Sequence, residues 1–358
     1  MKNVDLKNKK IALYTPYLDV LGGGEKHILS IIEVFHKLGG EIYIFWNKKL
    51  TQQLKERFNF SFLNKINWLP TYLKKPFYLK DFNYFFYVTD GSYFFSLAKK
   101  NFVFCMVPKK SLYNLNLINK IKLFNYWFIS NSSYTSKWLK KWGLNPITIP
   151  PYISEELILD NTYLKKEKII LSVGRFFSHL HSKNHDLIIN TYLNLKKNSN
   201  LFRDYQLILA GGLKKEDENY FQKLKLLTKN DPSIIFKPNL SFFELKKLYQ
   251  LSTYFWHFTG LLVDEKNHPE KVEHFGLAPL EAMANQCITF CHNSGGPKLF
   301  IKNFDNGILF NNEKELIKKI IKVEKDNLLK SKIKINSYQY IKNNFNFKKF
   351  QNKILKIL

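Results

Sequence analysis

The stretch Glu273-His274-Phe275-Gly276-Leu277-Ala278-Pro279-Leu280-Glu281-Ala282-Met283-Ala284 sets two carboxylates eight positions apart. The first lies in a glycine-containing loop, the second in the opening turns of a helix that Pro279 can start. The first N–H groups of a helix lack intrahelical partners, and the helix dipole favours an anion beside them. A carboxylate accepts hydrogen bonds from sugar hydroxyls, each worth about 1.5–3 kcal/mol. Together the two features suit a sugar nucleotide, with N–H groups on its phosphates and carboxylates on its hydroxyls. An amphipathic helix with an exposed glutamate accounts for Glu281 but not for the loop. Three of the six alanines in the chain fall in this stretch.

Arg175 follows Gly174, and Lys183 lies eight residues further on. A guanidinium fork and a point charge beside one loop can clamp a diphosphate and neutralise the charge that grows as it leaves. Lys183 alone is what any lysine-rich surface carries. Arg175 is more telling, since only Arg57, Arg175 and Arg203 are arginines. Nine of the 15 glycines cluster at Gly22-Gly23-Gly24, Gly174, Gly211-Gly212, Gly276 and Gly295-Gly296. Each cluster adjoins a predicted strand, where glycine lets backbone N–H groups approach an anion. Each could also be a plain tight turn. Five together favour a phosphate-bearing ligand. No G-x-G-x-x-G fingerprint and no Walker-type loop occurs, which lowers dinucleotide oxidoreductases and P-loop enzymes.

These residues need a scaffold that delivers loops to one edge. Apolar runs at 11–14, 42–45, 84–88, 102–107 and 126–129 predict strands, with helices over 25–37 and 134–141 between them. Pro146, Pro150 and Pro151 interrupt the pattern, which restarts with strands at 168–173, 206–210, 234–236, 253–257 and 287–290. Helices are predicted over 185–195, 216–227, 243–251 and 279–285. Alternation of this kind predicts an α/β protein of two Rossmann-like doubly wound domains facing a central cleft, with ligands at the carboxyl ends of the strands. The expected division is 1–150 as the first domain, 151–166 as linker and 167–330 as the second domain. A helical tail, 331–358, completes it.

Residues 273–281 resemble the E-x7-E motif of retaining, GT-B-type glycosyltransferases of family 4. Gly22-Gly23-Gly24-Glu25 resembles that family's N-terminal Gly-Gly loop, Ser130 to Thr135 its Asn-Ser-x-x-Thr segment, and Ser172-Val173-Gly174-Arg175 with Lys183 its phosphate clamp. Leu209-Ala210-Gly211-Gly212 and Asn293-Ser294-Gly295-Gly296-Pro297 match as well. The resemblance implies that Glu273 positions the transferred sugar and that Arg175 and Lys183 stabilise the departing phosphate. Phe275, Gly276 and Leu277 would present N–H groups to the diphosphate, Gly23, Gly24 and Gly174 would line it, and Glu281 would bind the ribose. It also implies a tail that crosses back to the N-terminal domain. The implied reaction moves a hexose from a nucleoside-diphosphate sugar to an acceptor hydroxyl with the anomeric configuration kept, without cofactor or metal. Residues 292–298 look like mannosyltransferases acting on lipid-linked oligosaccharides, so a mannose-like donor and a lipid-linked or cell-surface glycan acceptor are implied. Many relatives carry a histidine in the middle of the N-terminal domain; Phe102-Val103-Phe104-Cys105-Met106-Val107-Pro108 has none, and Asp90-Gly91-Ser92 is the candidate replacement.

Composition bounds the alternatives. The 358 residues carry 56 Lys+Arg against 29 Asp+Glu, a net of +27, with 45% hydrophobic residues, too apolar for a disordered chain. A basic nucleic-acid-binding protein would need arginines and aromatics on a groove-reading element, and no such module occurs, so no nucleic-acid partner is expected. A GT-B-fold phosphorylase or epimerase is the other alternative. His257, Asp264, His268 and Glu270 match no zinc spacing, so solvated-loop or supporting roles are expected of them. Three cysteines, without a Cys-x-x-Cys pair, fit a reducing compartment. The first ten residues lack the apolar run of a secretory signal, and no run reaches the roughly 18 apolar residues of a membrane span. A cytoplasmic protein is expected, with membrane contact peripheral at the inner face. Residues 1–150 carry +15, 151–313 only +2, and 314–358 +10. With the tail on the N-terminal domain, the charge would collect on the acceptor side and favour an anionic leaflet.

Overall fold

The computed structural model describes residues 4–158, 165–178 and 182–358. The chain forms two compact units, Met1–Pro151 with Lys348–Leu358, and Tyr152–Phe347.

The first unit holds strands β1 (Lys10–Tyr14), β2 (Glu41–Phe45), β3 (Asn67–Leu69), β4 (Tyr84–Val88), β5 (Lys100–Cys105), β6 (Tyr126–Ser130) and β7 (Ile147–Thr148). They pair in parallel in the order β3-β2-β1-β4-β5-β6-β7. Its helices are α1 (Gly23–Lys37), α2 (Thr51–Phe58), α3 (Pro76–Leu79), α4 (Leu117–Lys122) and α5 (Ser133–Lys141). Parallel strands buried on both faces need apolar residues at nearly every position, which is why β4 reads Tyr-Phe-Phe-Tyr-Val. Helix α1 is buried almost all round, including Glu25, His27 and Glu33. The His27 ring packs edge-on against Phe104 at 4.9 Å and lies 6.1 Å from Phe350. The Ser132 side chain accepts from the Thr135 N–H and so caps α5.

The second unit holds β8 (Glu167–Val173), β9 (Gln206–Gly211), β10 (Ile234–Pro238), β11 (Ser252–His257), β12 (Ile288–His292) and β13 (Ile308–Phe310), all parallel, in the order β10-β9-β8-β11-β12-β13. Helices α6 (His185–Asn198), α7 (Glu218–Leu227), α8 (Phe242–Leu251), α9 (Leu277–Ala284), α10 (Glu313–Lys325) and α11 (Asn327–Asn344) belong to it. Helix α12 (Phe347–Leu355) lies almost wholly in the first unit, where Lys100 donates to the Leu358 carbonyl.

Two sequence expectations change. The described part of the expected linker, 151–158 with 165–166, belongs to the second unit from Tyr152 onward, because Ile153, Leu157 and Ile158 pack in one core with Phe242, Leu280 and Ile341. Residues 331–347 are no tail of the first unit either. Ile333 shares the core of Trp256, Phe290 and Ile320, so only 348–358 join the first unit. The charge therefore divides as +19 for the first unit and +8 for the second, and the second is less neutral than its middle segment suggested.

Candidate active site

In an open parallel sheet, neighbouring strands whose connections leave in opposite directions open a crevice at their carboxyl ends. In the second unit those strands are β8 and β11. The loop after β8 carries Gly174, Arg175 and Lys183; the segment after β11 carries Glu273 to Leu277. The structure brings Lys183 and Glu273 together across 90 positions, Nζ to Oε2 at 2.8 Å, with both side chains about 15% exposed (14% and 15%). His257, the last residue of β11, places Nε2 2.9 Å from the same oxygen and is itself buried. Burial pushes the His257 imidazole below its usual range, the Glu273 carboxylate pulls it up, and the Lys183 charge lowers it again. With its pKa held below the usual imidazole range the ring is neutral at neutral pH, and a neutral ring can donate its Nε2–H to Glu273.

The loop that holds Glu273 is fixed by close backbone contact. The Gly296 N–H donates to the Glu273 carbonyl at 2.6 Å. A Cβ on Gly295 would meet that carbonyl at 2.1 Å, and one on Gly296 would meet the Phe275 carbonyl at 2.4 Å. Gly211 does the same for the β8 loop, since its Cβ would meet the Gly174 carbonyl at 1.8 Å. These glycines let two loops touch, a scaffolding role beside the phosphate role expected of them from sequence.

Gly276 is the N-cap of α9. The N–H groups of Phe275, Gly276, Leu277 and Ala278 donate to no described residue, and free N–H groups at a helix amino end can receive an anion. The Phe275 ring is buried, 5.9 Å from Phe345. Arg175 stands over the Phe177 ring at 4.4 Å. Glu281 is 8% exposed and accepts from the Tyr249 hydroxyl at 3.1 Å, which holds its carboxylate in place. Of the other acidic and histidine candidates, His268 pairs with Glu270 at 3.4 Å, and Asp264 accepts from Asn267 at 2.7 Å. Among the described residues no group of three or more His, Cys, Asp or Glu side chains is placed to hold a metal ion.

Gly23 and Gly24 lie in the first unit, in the opening turn of α1, the first α-helix after β1. The neighbouring Gly22 N–H is already taken by the Glu25 carboxylate at 2.8 Å. At the end of β4, Asp90 Oδ1 accepts from the Tyr87 hydroxyl at 2.6 Å and the Ser92 N–H at 2.9 Å. Burial works against its charge, yet hydrogen bonds from Ser92 and Tyr87 hold its carboxyl below the usual range.

A profile of the family described as "Glycosyl transferases group 1" matches residues 154–340, more than half of the 358. The chain belongs to this family. Among curated glycosyltransferases it is similar to the GDP-Man:Man(3)GlcNAc(2)-PP-Dol alpha-1,2-mannosyltransferase of Mus musculus, 30% identical over 213 residues, 52% of this chain and 40% of that protein. The protein of the same name from Homo sapiens is 30% identical over 212 residues, 51% of this chain and 40% of its own length. The matched part thus spans 40% of these relatives. Two solved structures share the fold over almost the whole chain. The glycosyltransferase of Rickettsia africae ESF-5 covers 98% of both chains with a TM-score of 0.71 at 18% identity. Anabaena HepE, crystallised with UDP and glucose, covers 98% of this chain and 99% of its own with a TM-score of 0.75 at 12% identity. The fold of this group 1 glycosyltransferase is therefore GT-B, with two Rossmann-like units.

Proposed function

We propose that this group 1 glycosyltransferase moves a hexose from a nucleoside-diphosphate sugar to a hydroxyl of a lipid-linked or cell-surface glycan. In family terms it is a retaining, metal-independent hexosyltransferase of family 4. The observation that carries the reading is the Glu273 carboxylate, gripped by Lys183 and His257 beside the unpartnered N–H groups of 275–278. Glu273 accepts from hydroxyls of the donor sugar and sets its anomeric carbon. The N–H groups of Phe275, Gly276 and Leu277 hold the diphosphate, and Glu281 takes the ribose. Arg175 and Lys183 neutralise the charge that develops on the leaving phosphate. The glycosidic bond to that phosphate breaks as the acceptor oxygen attacks from the same face. The leaving phosphate oxygen takes the acceptor proton, so no strong enzymic base is needed. Mannose and GDP are the favoured sugar and base, on the strength of the printed names of the mouse and human relatives.

The acceptor's lipid is met at an anionic membrane surface on the cytoplasmic side. The support lies in the first unit, where Leu117, Ile118, Ile121, Phe124 and Trp127 are exposed within eleven residues and Lys120 and Lys122 stand among them. Phe124 stacks on Phe95 at 5.8 Å. An apolar patch set among lysines suits shallow insertion into acidic lipid. No helix among the described residues is long and apolar enough to cross a membrane.

The test is a screen of nucleotide sugars by thermal shift, followed by incubation of the best donor with a lipid-linked acceptor extract and analysis of the product. GDP-mannose stabilising the protein and an α-linked mannose product without added metal are expected. A β-linked product, phosphorolysis of the sugar, or oligonucleotide binding without sugar-nucleotide binding would each overturn the reading.

A further inference from the structure

A second cavity, about 430 Å³, opens at the opposite edge of the second sheet. Lys166 and Lys168 flank the start of β8, Gln286 lies two residues before β12, and Glu324, Lys330 and Lys334 come from α10 and α11. Strand β8 alone spans seven residues, so this edge lies about 20 Å from the Gly174 loop.

Two of the lysines have carboxylate partners: Lys168 pairs with Asp204 at 2.9 Å and Lys330 with Glu324 at 2.8 Å. The other two do not. Lys166 Nζ donates to two backbone carbonyls, Tyr249 at 3.1 Å and Asn285 at 2.5 Å. The Lys334 ammonium makes no hydrogen bond or ion pair with any described residue. Both are half-buried. Burial lowers the pKa of each, and the Lys166 and Lys330 charges lower that of Lys334 further, against weaker opposing pulls from Cys287 on both and from Glu324 on Lys334. Surface lysines extend their heads into water; these two direct them into a shared cavity. The Gln286 amide, also without a partner among the described residues, lines the same space. Glu167, at the rim, is exposed.

We propose that this cavity is a binding site for a small phosphomonoester, whose doubly charged phosphate sits between Lys166 and Lys334 and whose polar body meets Gln286. Lys166 and Lys334 hold like charges close together, and the one carboxylate that faces Lys334, Glu324, is already shared between Lys330 and Tyr254, so a dianion relieves both ammonium groups at once. The volume lies within the range of small-molecule sites. Lys166 also grips the carboxyl ends of α8 and α9, and Tyr249 of α8 donates to Glu281. The site is thereby joined to the helix whose amino end forms the candidate active site.

Calorimetric titration of the full chain with inorganic phosphate, mannose 6-phosphate and neutral mannose tests this. Both phosphates bind saturably and mannose does not. That binding survives in Arg175→Ala/Lys183→Ala, weakens about tenfold or more in Lys334→Gln, and is unchanged in the exposed Lys237→Gln. Without ligand, Lys334→Gln raises the thermal midpoint, because burial and the neighbouring Lys166 and Lys330 charges outweigh the pull of Glu324 on its ammonium. Absence of saturable phosphate binding in the wild type overturns the proposal. So does binding lost in Arg175→Ala/Lys183→Ala but kept in Lys334→Gln, or a lowered midpoint in ligand-free Lys334→Gln.

Discussion

The two units answer one topology with different chemistry. In each, the first and fourth strands lie side by side and their loops meet at the carboxyl edge, β1 with β4 and β8 with β11. At the second crevice a carboxylate reaches outward to a lysine and a histidine from other segments, as Glu273 does with Lys183 and His257. At the first, the carboxylate turns on its own neighbours: Asp90 is held by Tyr87 and Ser92, and the Lys74 ammonium lies 3.3 Å over the Tyr14 ring. The first unit also carries +19 and the exposed Leu117-to-Trp127 patch, while the second carries +8 and the half-buried lysine cavity. The same strand order supplies a place for a ligand; the side chains at the loop ends decide what is done there.

The sharpest way to break the contrast is to remove the two carboxylates in turn. Glu273→Ala should lower turnover about 10²–10³-fold, as should Arg175→Ala, while Asp90→Asn costs less than about tenfold. Equal losses in steady-state transfer assays would show that the first unit's carboxylate acts on the reacting centre as well. Next in size is His257, a positioning residue. His257→Phe should cost roughly ten- to a hundredfold in turnover, and His257→Gln, which keeps a donor toward Glu273, should recover most of it. No difference between the two variants would reduce His257 to a packing role.

The membrane contrast follows. Leu117→Ser/Phe124→Ser should weaken flotation with phosphatidylglycerol vesicles about tenfold and leave transfer to a soluble acceptor intact, whereas Phe243→Ser in the second unit changes neither. Equal loss from Phe243→Ser would dissolve the distinction. Smallest is a property the units share. Burial pushes both His27 and His185 down to about 3, with the Lys183 charge adding to the shift at His185. The unfolded chain takes up these protons first, so stability is fully present above pH about 6.5 and falls on acidification toward the folded value. The slope reaches about 1.4 kcal/mol per pH unit for each histidine. Denaturant titrations at pH 7.5 and 5.5 should show the fall, and His185→Phe should flatten it by one histidine's share.

Much of the scaffold was legible because parallel strands buried on both faces need unbroken apolar runs, as at 84–88 and 253–257. Strands β3, β7 and β13 are two or three residues long and leave no such run. His257 was open only to a weak signal, a polar residue closing an apolar strand at its carboxyl end; its partner lies 16 positions away, beyond any local spacing rule. Gly211, Gly295 and Gly296 look like phosphate loops in sequence because close approach of a backbone and of an anion demand the same missing Cβ. The charge of α11 joins the second unit rather than the first, since lysine content says nothing about which core Ile333 enters.

By itself the sequence determined the α/β alternation, a helix after the glycine loop at 276 and the kinds of side chain that follow β8 and β11. Periodicity and helix-start chemistry act over a few residues and are written locally. Only the tertiary structure decided that Lys183 and Glu273 meet at 2.8 Å, that Lys166 and Lys334 share one cavity, and that the chain re-enters the first unit at Lys348. Each of those depends on strand order and core packing between segments 90 or more positions apart, and such long-range choices are made by burial of the whole fold rather than by any one stretch of chain.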